Sequence, residues 1–297
     1  MEQTENFTMI PMEKGEGEII IDAVDAYDDL MAPPEEGAPE DEELVLKIED
    51  ENGTVIAGCI AQIYNWGQIY IDILWVDEKY RRHGLGSMLL REAERRAIDR
   101  GCCLSHLGTF DFQARPLYEK HGYAVFSVNE DFPTGHANYG MWKRLDREAE
   151  EYIPSDNSAA ERYEVRDGTE EDEERIEDGL VAHNERFMPF KHEWIRLNNK
   201  FVDADGRMIA GVVAGVGGWD FCFISGLWVE EAYRGRGLGS ALLRETERLA
   251  KENGAYMILA EAYDWNLAYF LARGYTVLGV LEDFPKGHRF YELKKLI

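Results

Sequence analysis

The sequence predicts an α/β protein that contains two copies of one domain. The first observation is an internal repeat: residues 76–101 return as residues 229–254 at a constant offset of 153, and 16 of the 26 aligned positions are identical. The second is that helical and extended patterns alternate within each copy, as in helices arranged around one sheet. The third is the length of 297 residues, which is enough for two modest domains with a core each.

A linker separates the two copies. The charged run 146–152 leads into residues 153–161, which are rich in Pro, Ser, Asn and Ala. We therefore predict an N-terminal domain at residues 1–146, a linker at 147–162 and a C-terminal domain at 163–297. A later block returns at an offset of 152, so one residue has been lost between the repeated blocks.

Composition limits the classes of function. With 58 acidic and 32 basic residues, the chain has a formal charge of −26. Such a charge would repel nucleic acid and favours a cationic partner, although solubility or adaptation to salt explains it equally well. The longest uncharged stretch, 52–71, is interrupted by glycines and polar residues, so paired strands explain it better than a membrane span.

The cysteines and the first residues of the chain bear on its location. The sequence opens without a secretory signal, and its four cysteines have neither metal-ligand nor disulfide spacing. We therefore expect a reduced, cytoplasmic setting, no bound metal and no membrane partner.

Strands and turn signals alternate in the first part of each copy. In the first copy, an Asn-Gly turn at 50–53 and a second turn at 65–67 separate three apolar stretches. The predicted strands are 44–48, 54–63 and 68–76 in the first copy, and the turns 203–206 and 217–220 precede the strand 221–229 in the second.

A helix follows the third strand of each copy. Apolar residues at helical spacing predict this helix at about 86–100 and its counterpart at about 239–253. A further strand follows, at 102–110 or 256–262, and a short helix and a final hairpin complete each copy.

The junction between the third strand and this helix has the composition of an anion site. Residues 81–87 read RRHGLGS and residues 234–240 read RGRGLGS. Glycines let a backbone approach a ligand closely, and arginines bind phosphate oxygens. The first turn of a helix presents unpaired N–H groups at the positive end of its dipole. A lone Gly-x-Gly before a helix would more often be only a tight turn.

The longer pattern Arg-x-x-Gly-x-Gly, after a strand ending in Val and before Leu-Leu, resembles motif A of the GNAT superfamily of acyl-CoA-dependent N-acetyltransferases. The strings LYEKHGY at 117–123 and YFLARGY at 269–275 resemble its motif B. The resemblance covers nearly all of both copies. It implies two tandem GNAT folds, each a mixed, mostly antiparallel sheet flanked by helices and splayed between its fourth and fifth strands, with acyl-CoA in the opening.

The resemblance also implies which residues bind acetyl-CoA, the acyl donor. The pyrophosphate would lie on the loop and the first helical turn. The pantetheine would pair with the end of the strand before this loop, which is the third predicted strand of each copy and the fourth strand of a GNAT fold. In the first copy the predicted residues are Leu74, Trp75, Val76, Arg81, Arg82, His83, Gly84, Leu85, Gly86 and Ser87. In the second copy they are Leu227, Trp228, Val229, Arg234, Gly235, Arg236, Gly237, Leu238, Gly239 and Ser240.

Amine acetylation needs a base for the ammonium proton and an acid for the departing thiolate. By the resemblance, a carboxylate lies four residues before the last Val of the fourth strand, and a tyrosine lies four residues before the Gly of motif B. These positions hold Asp72 and Tyr118, our predicted catalytic residues. In the alternatives, Asp72 pairs with an arginine and Tyr118 is a core aromatic residue with a satisfied hydroxyl.

The second copy lacks both groups. Ser225 and Phe270 occupy the two positions, and serine is a poor base while phenylalanine has no proton to donate. Tyr269 is an alternative acid, because one residue has been lost nearby. We expect the N-terminal domain to be catalytic and the C-terminal domain to be degenerate or differently tuned.

Acidic residues precede the hairpins of each copy, ten between positions 22 and 43 and seven between positions 170 and 178. A cleft lined with one sign of charge attracts the other sign. We therefore predict a small cationic amine as acceptor, such as a polyamine or an aminoglycoside-like or streptothricin-like antibiotic; a solvated helix face or a mobile loop is the alternative. His136 and His288, in a repeated hairpin, are better explained by a tight turn than by acceptor binding.

Three functions fit these patterns. We favour a small-molecule N-acetyltransferase with one working half. The alternatives are a protein or peptide acetyltransferase, which needs an open acceptor groove, and a non-catalytic acyl-CoA sensor. The chain would be a monomer, with its tandem domains in place of a dimer, or a homodimer.

Overall fold

The computed structural model describes residues 7–35, 38, 40–146 and 162–297. The predicted linker at 147–162, except for its last residue, and Glu36 of the first acidic segment lie outside these residues. Within them, no helix is long and apolar enough to cross a membrane, and no group of three or more His, Cys, Asp or Glu side chains is arranged to hold a metal ion.

The helices and strands include every element whose bounds were predicted from the sequence, in the predicted order and with ends within two residues. In chain order they are β1 (Thr8–Pro11), α1 (Glu16–Met31), β2 (Glu42–Glu49), β3 (Val55–Tyr64), β4 (Gln68–Val76), α2 (Leu85–Asp99), β5 (Leu104–Phe110), α3 (Arg115–Lys120), β6 (Ala124–Glu130), β7 (Ala137–Arg144), β8 (Arg166–Asp167), α4 (Glu170–Asn184), β9 (Ile195–Arg196), β10 (Asn199–Val202), β11 (Met208–Gly217), β12 (Phe221–Val229), α5 (Leu238–Glu252), β13 (Met257–Tyr263), α6 (Leu267–Leu271), β14 (Thr276–Glu282) and β15 (Arg289–Leu296).

The chain divides into two compact units whose limits differ from the predicted domain boundaries. Unit N consists of residues 34–189, and unit C consists of residues 1–33 together with 190–297. Helix α1, near the start of the chain, packs on strands β11 and β12, and α4, from the second half, packs on β3 and β4. Each unit therefore takes one helix from the other half of the sequence.

Unit N is built on one mixed sheet. Its strand order is β6-β7-β5-β4-β3-β2-β8, and all neighbours are antiparallel except β4 and β5. Leu89 and Leu90 of α2 are buried in a core with strand residues such as Ile69 and Ile71. Ile176 of α4 belongs to a separate cluster with Ile73 and other strand residues, so the two helices bury different side chains of the same sheet.

Unit C repeats this plan. Its strand order is β1-β10-β11-β12-β13-β15-β14, with β9 also paired to β11, and only β12 and β13 are parallel. Leu242 and Leu243 of α5 are buried in its core. Both units therefore have the mixed, mostly antiparallel sheet flanked by helices that the sequence predicted.

A glycine in β3 of unit N and one in β11 of unit C admit the helix that each unit takes from the other half of the sequence. A side chain at Gly58 would begin 2.2 Å from Cδ1 of Ile176 on α4, and one at Gly211 would begin 2.5 Å from Cδ1 of Ile20 on α1. No larger residue fits without displacing the isoleucine. Because the two glycines stand at the repeat offset of 153, both units hold their helix by the same contact.

The parallel strands of each unit separate partway along their length. In unit N, the pairing of β4 with β5 ends at Ile71 and Leu107, although β4 continues to Val76. In unit C, the pairing of β12 with β13 ends at Ile224 and Ala260. The backbone groups beyond these points face an opening on one side, which is the predicted splay.

Candidate active site

Asp72 lies where the opening of unit N begins. The pairing of β3 with β4 shifts register so that Ile60 faces Ile73 and Ala61 faces Ile71, which leaves Asp72 as the extra residue of a bulge. Its side chain remains accessible to water, yet the surrounding protein is dense enough to raise the pKa of Asp72 by desolvation, and Glu177 and Glu43 raise it further. No salt bridge to Asp72 is found among the described residues, so the predicted alternative of an arginine partner does not apply.

The exchanged helix α4 brings carboxylates to Asp72. Thr169 and Asp172 form a capping box at its start, and Asp172 also makes a 2.9 Å salt bridge with Lys47 of β2. This anchor places Glu173 and Glu177, one turn apart, on the side of Glu43, and desolvation together with Glu43 and Glu177 raises the pKa of Glu173. The site is therefore strongly negative, as a receptor for a cation would be.

Tyr118 lies on the short helix α3 and is 6% exposed. Its ring packs edge-on against Tyr123, with centroids 5.8 Å apart. Burial raises the pKa of Tyr118, so its hydroxyl stays protonated across the neutral range. No hydrogen bond to this hydroxyl is found within the described part of the chain, so the alternative of a satisfied core tyrosine does not describe it.

The loop before α2 has the backbone shape of an anion site. Gly84, the N-cap of α2, has φ of 82°, and Arg82 has φ of 65°; a non-glycine residue in this region costs roughly 1–2 kcal/mol. Arg81 fixes the loop to the strand, because its Nε donates to the carbonyl of Val76 at 2.9 Å. The N–H groups of the first helical turn then point out of the helix end.

The predicted acetyl-CoA residues of unit N divide by what their side chains contact. Trp75, Leu85 and Ser87 are buried, and Arg175 of α4 lies 4.9 Å from the centre of the Trp75 ring. These residues have only backbone groups to offer a ligand. Arg82 and His83 have exposed side chains.

Unit C has the same binding features. Gly235 and Gly237 have φ of 78° and 84°, and a side chain at either would meet nothing within 4 Å. The Nε of Arg234 donates to the carbonyl of Val229 at 2.9 Å, as in unit N. Leu227, Trp228 and Val229 lie beyond the last parallel pair, at the edge of the opening.

The group beside the first helical turn differs between the units. In unit N, Nε2 of His121 lies 2.9 Å from Oγ of Ser87, and burial lowers the pKa of His121 to about 4, which leaves it neutral at pH 7. In unit C, the guanidinium of Arg273 donates to Oγ of Ser240. Unit C therefore places a permanent positive charge at the end that would hold the pyrophosphate.

The residues at the two predicted catalytic positions differ between the units as well. Ser225 is the bulge residue of β12, since Val213 faces Gly226 and Ala214 faces Ile224. Phe270 is buried at the position of Tyr118. Tyr269 lies under Arg273, whose guanidinium is 3.5 Å from its ring centre, and its hydroxyl is next to Gly239 of the anion loop.

Three stacked phenylalanines flank the end of β5 in unit N. The ring of Phe112 is parallel to Phe110 on one side and to Phe187 on the other, at centroid distances of 5.3 and 5.1 Å. Gln113 donates to Oδ1 of Asn184 at 2.9 Å and so ties this loop to α4. Sequence reasoning missed this stack because Phe187 is 75 positions from Phe112; only the Phe-x-Phe spacing hinted at it.

The repeated hairpin histidines form part of a turn. Nδ1 of His136 lies 2.9 Å from Asp111, and Asp131 accepts from the N–H of Gly135 at 2.7 Å. His288 stands 3.6 Å from Asp264 in unit C. These contacts agree with the prediction of a tight turn.

Both units thus combine splayed parallel strands with a glycine loop at a helix start, and the same combination defines a known family. The model of the Acetyltransferase (GNAT) family matches residues 16–123 and 157–292. The chain belongs to this family. The GNAT fold is therefore present twice, and the resemblance seen in the sequence is confirmed.

The chain is similar to several named acetyltransferases. The blasticidin-S acetyltransferase of Streptomyces morookaense is 36% identical over 96 residues, which are 32% of this chain and 70% of that protein. Acetyltransferase Atu2258 of Agrobacterium fabrum is 28% identical over 109 residues, or 37% of this chain and 79% of that protein. A crystal structure of an acetyltransferase from Bacillus cereus shares 38% identity with a TM-score of 0.43 and covers 46% of this chain and 95% of its own.

GNAT acetyltransferases take acetyl-CoA as the acyl donor. The residues present fit this donor, because each loop offers helix-end N–H groups and glycines with positive φ to a pyrophosphate. A side chain at Gly86 would meet Leu117 and Val76 only at ordinary contact distances of 3.5 and 3.6 Å, so the surface beside the loop is not crowded.

Proposed function

We propose that this GNAT acetyltransferase transfers acetyl to a primary amine of a small, cationic acceptor, and that unit N carries the reaction with Asp72 as base and Tyr118 as acid. The observation that carries the proposal is the position of Asp72: a carboxylate of raised pKa at the start of the opening, with Glu177 and Glu43 beside it. A catalytic base works best when its pKa is near the operating pH.

Asp72 and Tyr118 act on opposite sides of the transfer. Bound acetyl-CoA would supply the acetyl group as a reactive thioester. Asp72 takes the proton of the acceptor ammonium, directly or through one water, which frees the nitrogen lone pair for attack. Tyr118 donates its hydroxyl proton to the departing thiolate sulfur, and its buried ring holds that hydroxyl in place.

The charge around Asp72 supports a cationic acceptor. Glu43, Glu173 and Glu177 act on one another as like charges, and a bound cation would relieve that repulsion. The acceptor surface depends on α4, so we expect residues 1–146 to be insufficient for activity.

The relative named blasticidin-S acetyltransferase supports an antibiotic as acceptor class. The stack of Phe110, Phe112 and Phe187 agrees with this, because an unsaturated ring of a ligand gains from stacking on an aromatic face. The half-exposed ring of Phe187 is the outermost of the three. The cysteines are free thiols, and we propose that the protein works in the cytoplasm, as a monomer or a homodimer.

The test is release of the CoA thiol from acetyl-CoA with a panel of amines: spermidine, kanamycin, blasticidin S, nourseothricin and a lysine-containing peptide. We expect at least one cationic small molecule to react well above the no-amine background. Tyr118→Phe should then lower kcat by roughly 10- to 1000-fold with little change in the KM for acetyl-CoA.

Tyr269→Phe is the matched control, since it removes a tyrosine hydroxyl from the corresponding helix of unit C. It should leave kcat within about twofold, because its hydroxyl lies at the loop and not at the opening. Equal effects of the two substitutions would contradict the assignment. A preference for the peptide over every small amine would favour the protein acetyltransferase alternative.

A further inference from the structure

The opening of each unit lies between its two parallel strands, and these strands form its two walls. Each unit has a carboxylate at the point where the strands separate, but the two carboxylates are on opposite walls. In unit N, the last parallel pair is Ile71 with Leu107, so the next residues, Asp72 and Gly108, stand level across the opening. In unit C, the last pair is Ile224 with Ala260, so Ser225 and Glu261 stand level. Unit C therefore has its carboxylate on β13 instead of β12.

Glu261 faces away from the core that α5 covers. Ala260 and Ala262 are buried in that core, and side chains alternate along a strand, so Glu261 is on the other face with Tyr263. The ring of Tyr263 stacks on Trp265 at 4.7 Å, and the indole of Trp265 donates to Asp28 of α1 at 2.8 Å. This is the face that the exchanged helix covers, and it corresponds to the acceptor face of unit N.

The strand next to β13 has been altered to admit a second carboxylate. Glu292 of β15 stands opposite Glu261, and its own partner on β14 is Gly279. In unit N the corresponding pair is Gly140 with Ser127, and a side chain at Gly140 would begin 2.3 Å from Oγ of Ser127. The glycine has thus changed strands, which makes room for Glu292 in unit C.

The protein around this pair changes the basicity of Glu261. The side chain of Glu261 remains accessible to water, yet the surrounding protein is dense enough to desolvate it, and this desolvation, followed by the charge of Glu292, raises the pKa of Glu261 to about 7. About half of the population is then ionised at neutral pH, and the ionised form is a much stronger base than an ordinary glutamate. Asp28 and His288, which both contact Trp265, and Asp264, next to His288, are further titratable groups on this side of the opening. Desolvation raises the pKa of Asp28 to about 6.

We propose that unit C is a second acetyl-transfer centre, in which Glu261 on the opposite wall of the opening serves as the base that Ser225 does not supply. The inference rests on the proposed function, because it assumes the same reaction and the same class of acceptor. Unit C retains the anion loop, the open strand edge and a guanidinium beside the first helical turn.

The chemistry balances with residues of the chain and the two substrates. The carboxylate of Glu261 takes one proton from the acceptor ammonium, and the nitrogen lone pair then forms the amide bond as the carbon–sulfur bond breaks. The sulfur leaves with the bonding electrons and takes a proton from a water molecule, because Phe270 has none to donate, and that water recovers a proton from the attacking nitrogen, which still carries two hydrogens. Unit C is therefore the slower of the two centres, by roughly the 10- to 1000-fold that we expect for Tyr118→Phe in unit N.

The experiment starts from the full-length protein with unit N disabled by Asp72→Asn and Tyr118→Phe together. The acceptor is the amine of the panel that gives the highest rate with the unaltered protein. We expect a residual CoA release at least tenfold above the no-amine background. Adding Glu261→Gln should lower that residual rate tenfold or more and leave the dissociation constant for acetyl-CoA, measured by calorimetry, unchanged.

Two measurements separate a base from a structural residue. The residual rate should rise with pH through about 7, since Glu261 must lose its proton to act, and Glu292→Gln should move that rise to lower pH by removing a like charge. In the protein without substrates, carbon-13 NMR of the glutamate carboxyls should show one group titrating near 7 that is lost in Glu261→Gln. Glu282→Gln, at an outer glutamate paired with Arg289, is the matched control and should change neither readout.

The outcomes distinguish the two proposals. A residual rate at background, with acetyl-CoA bound to unit C, overturns the second centre alone, as does a residual rate that Glu261→Gln leaves unchanged. A full rate after disabling unit N would overturn the proposed role of Asp72 and Tyr118 and leave unit C as the enzyme. Inactivity of the unaltered protein with every amine would overturn both.

Discussion

Unit N and unit C have the same sheet order around the opening and the same loop, yet they differ at the positions for which we propose proton transfer. Asp72 becomes Ser225, Tyr118 becomes Phe270, and Gly108 becomes Glu261. The loops, in contrast, repeat the same strand-to-arginine hydrogen bond at 2.9 Å. The backbone geometry of the loop is thus the same in both copies while the side chains at the proposed proton-transfer positions differ, because backbone geometry depends on the fold and not on side-chain identity.

The exchanged helices extend the comparison to the acceptor side. The two glycine contacts align Ile176 of α4 with Ile20 of α1, so Glu177 corresponds to Ile21. On the proposed acceptor side, α4 of unit N therefore presents a charged residue at the position where α1 of unit C presents an apolar one. In unit C, the negative charge comes instead from Glu261 and Glu292 on the sheet.

The largest expected effect comes from giving unit N the residue of unit C at the bulge. Asp72→Ser should lower kcat by about 10²–10⁴-fold, which is what a positioned base contributes. The rate of CoA release with saturating amine measures it. Ser225→Ala is the matched control in unit C and should leave the rate unchanged; a comparable loss there would mean that the two bulges have equivalent roles.

A smaller effect is expected from removing the charge that α4 brings to the site. Glu177→Ile, which copies Ile21, should raise the KM for a cationic amine about tenfold, because a carboxylate near a bound cation contributes on the order of 1 kcal/mol in partly exposed surroundings. The KM for acetyl-CoA should stay the same. Glu174→Gln, an exposed carboxylate on the same helix, is the control, and equal shifts from both would point to net charge alone.

The smallest effect is expected at the loop. Arg273→His should weaken acetyl-CoA binding to unit C by about three- to tenfold, because a charged donor beside a phosphate is exchanged for a neutral one. His121→Arg should strengthen binding to unit N by a similar factor. Since the pKa of His121 is about 4, lowering the pH from 8 to 6 should leave the affinity of unit N unaffected by this residue. Calorimetric titration with acetyl-CoA at two salt concentrations measures both changes.

Much of each unit was accessible from the sequence, for identifiable reasons. The anion loops were predicted because glycine, arginine and a helix start are local features, and Gly84 and Gly237 do have positive φ. The predicted start of α2 is one residue late and that of β5 is two residues early. The hydrophobic pattern does not define the exact residue at which a helix or a strand begins. Asp72 and Tyr118 were located through motif spacing, and their catalytic roles stay predictions.

The sequence misplaced the acidic wall because it assigned each helix to the nearer sheet. Glu177 was grouped with the second copy, whereas the structure sets it beside Asp72. Glu261 was not predicted at all, because its importance depends on standing level with Ser225 across two parallel strands. The two residues stand opposite each other because the pairing of β12 with β13 ends just before them. Composition and periodicity do not show where strand pairing ends.

The sequence by itself determined that this protein has two GNAT folds, where their loops lie and that Ser225 and Phe270 stand in the second copy where the first has Asp72 and Tyr118. Only the tertiary structure decided which helix completes which sheet and on which wall each carboxylate stands. The physical reason is that Gly58 and Gly211 offer the same contact to an isoleucine, so local packing does not distinguish the two arrangements. Which helix packs on which sheet depends on the path of the whole chain.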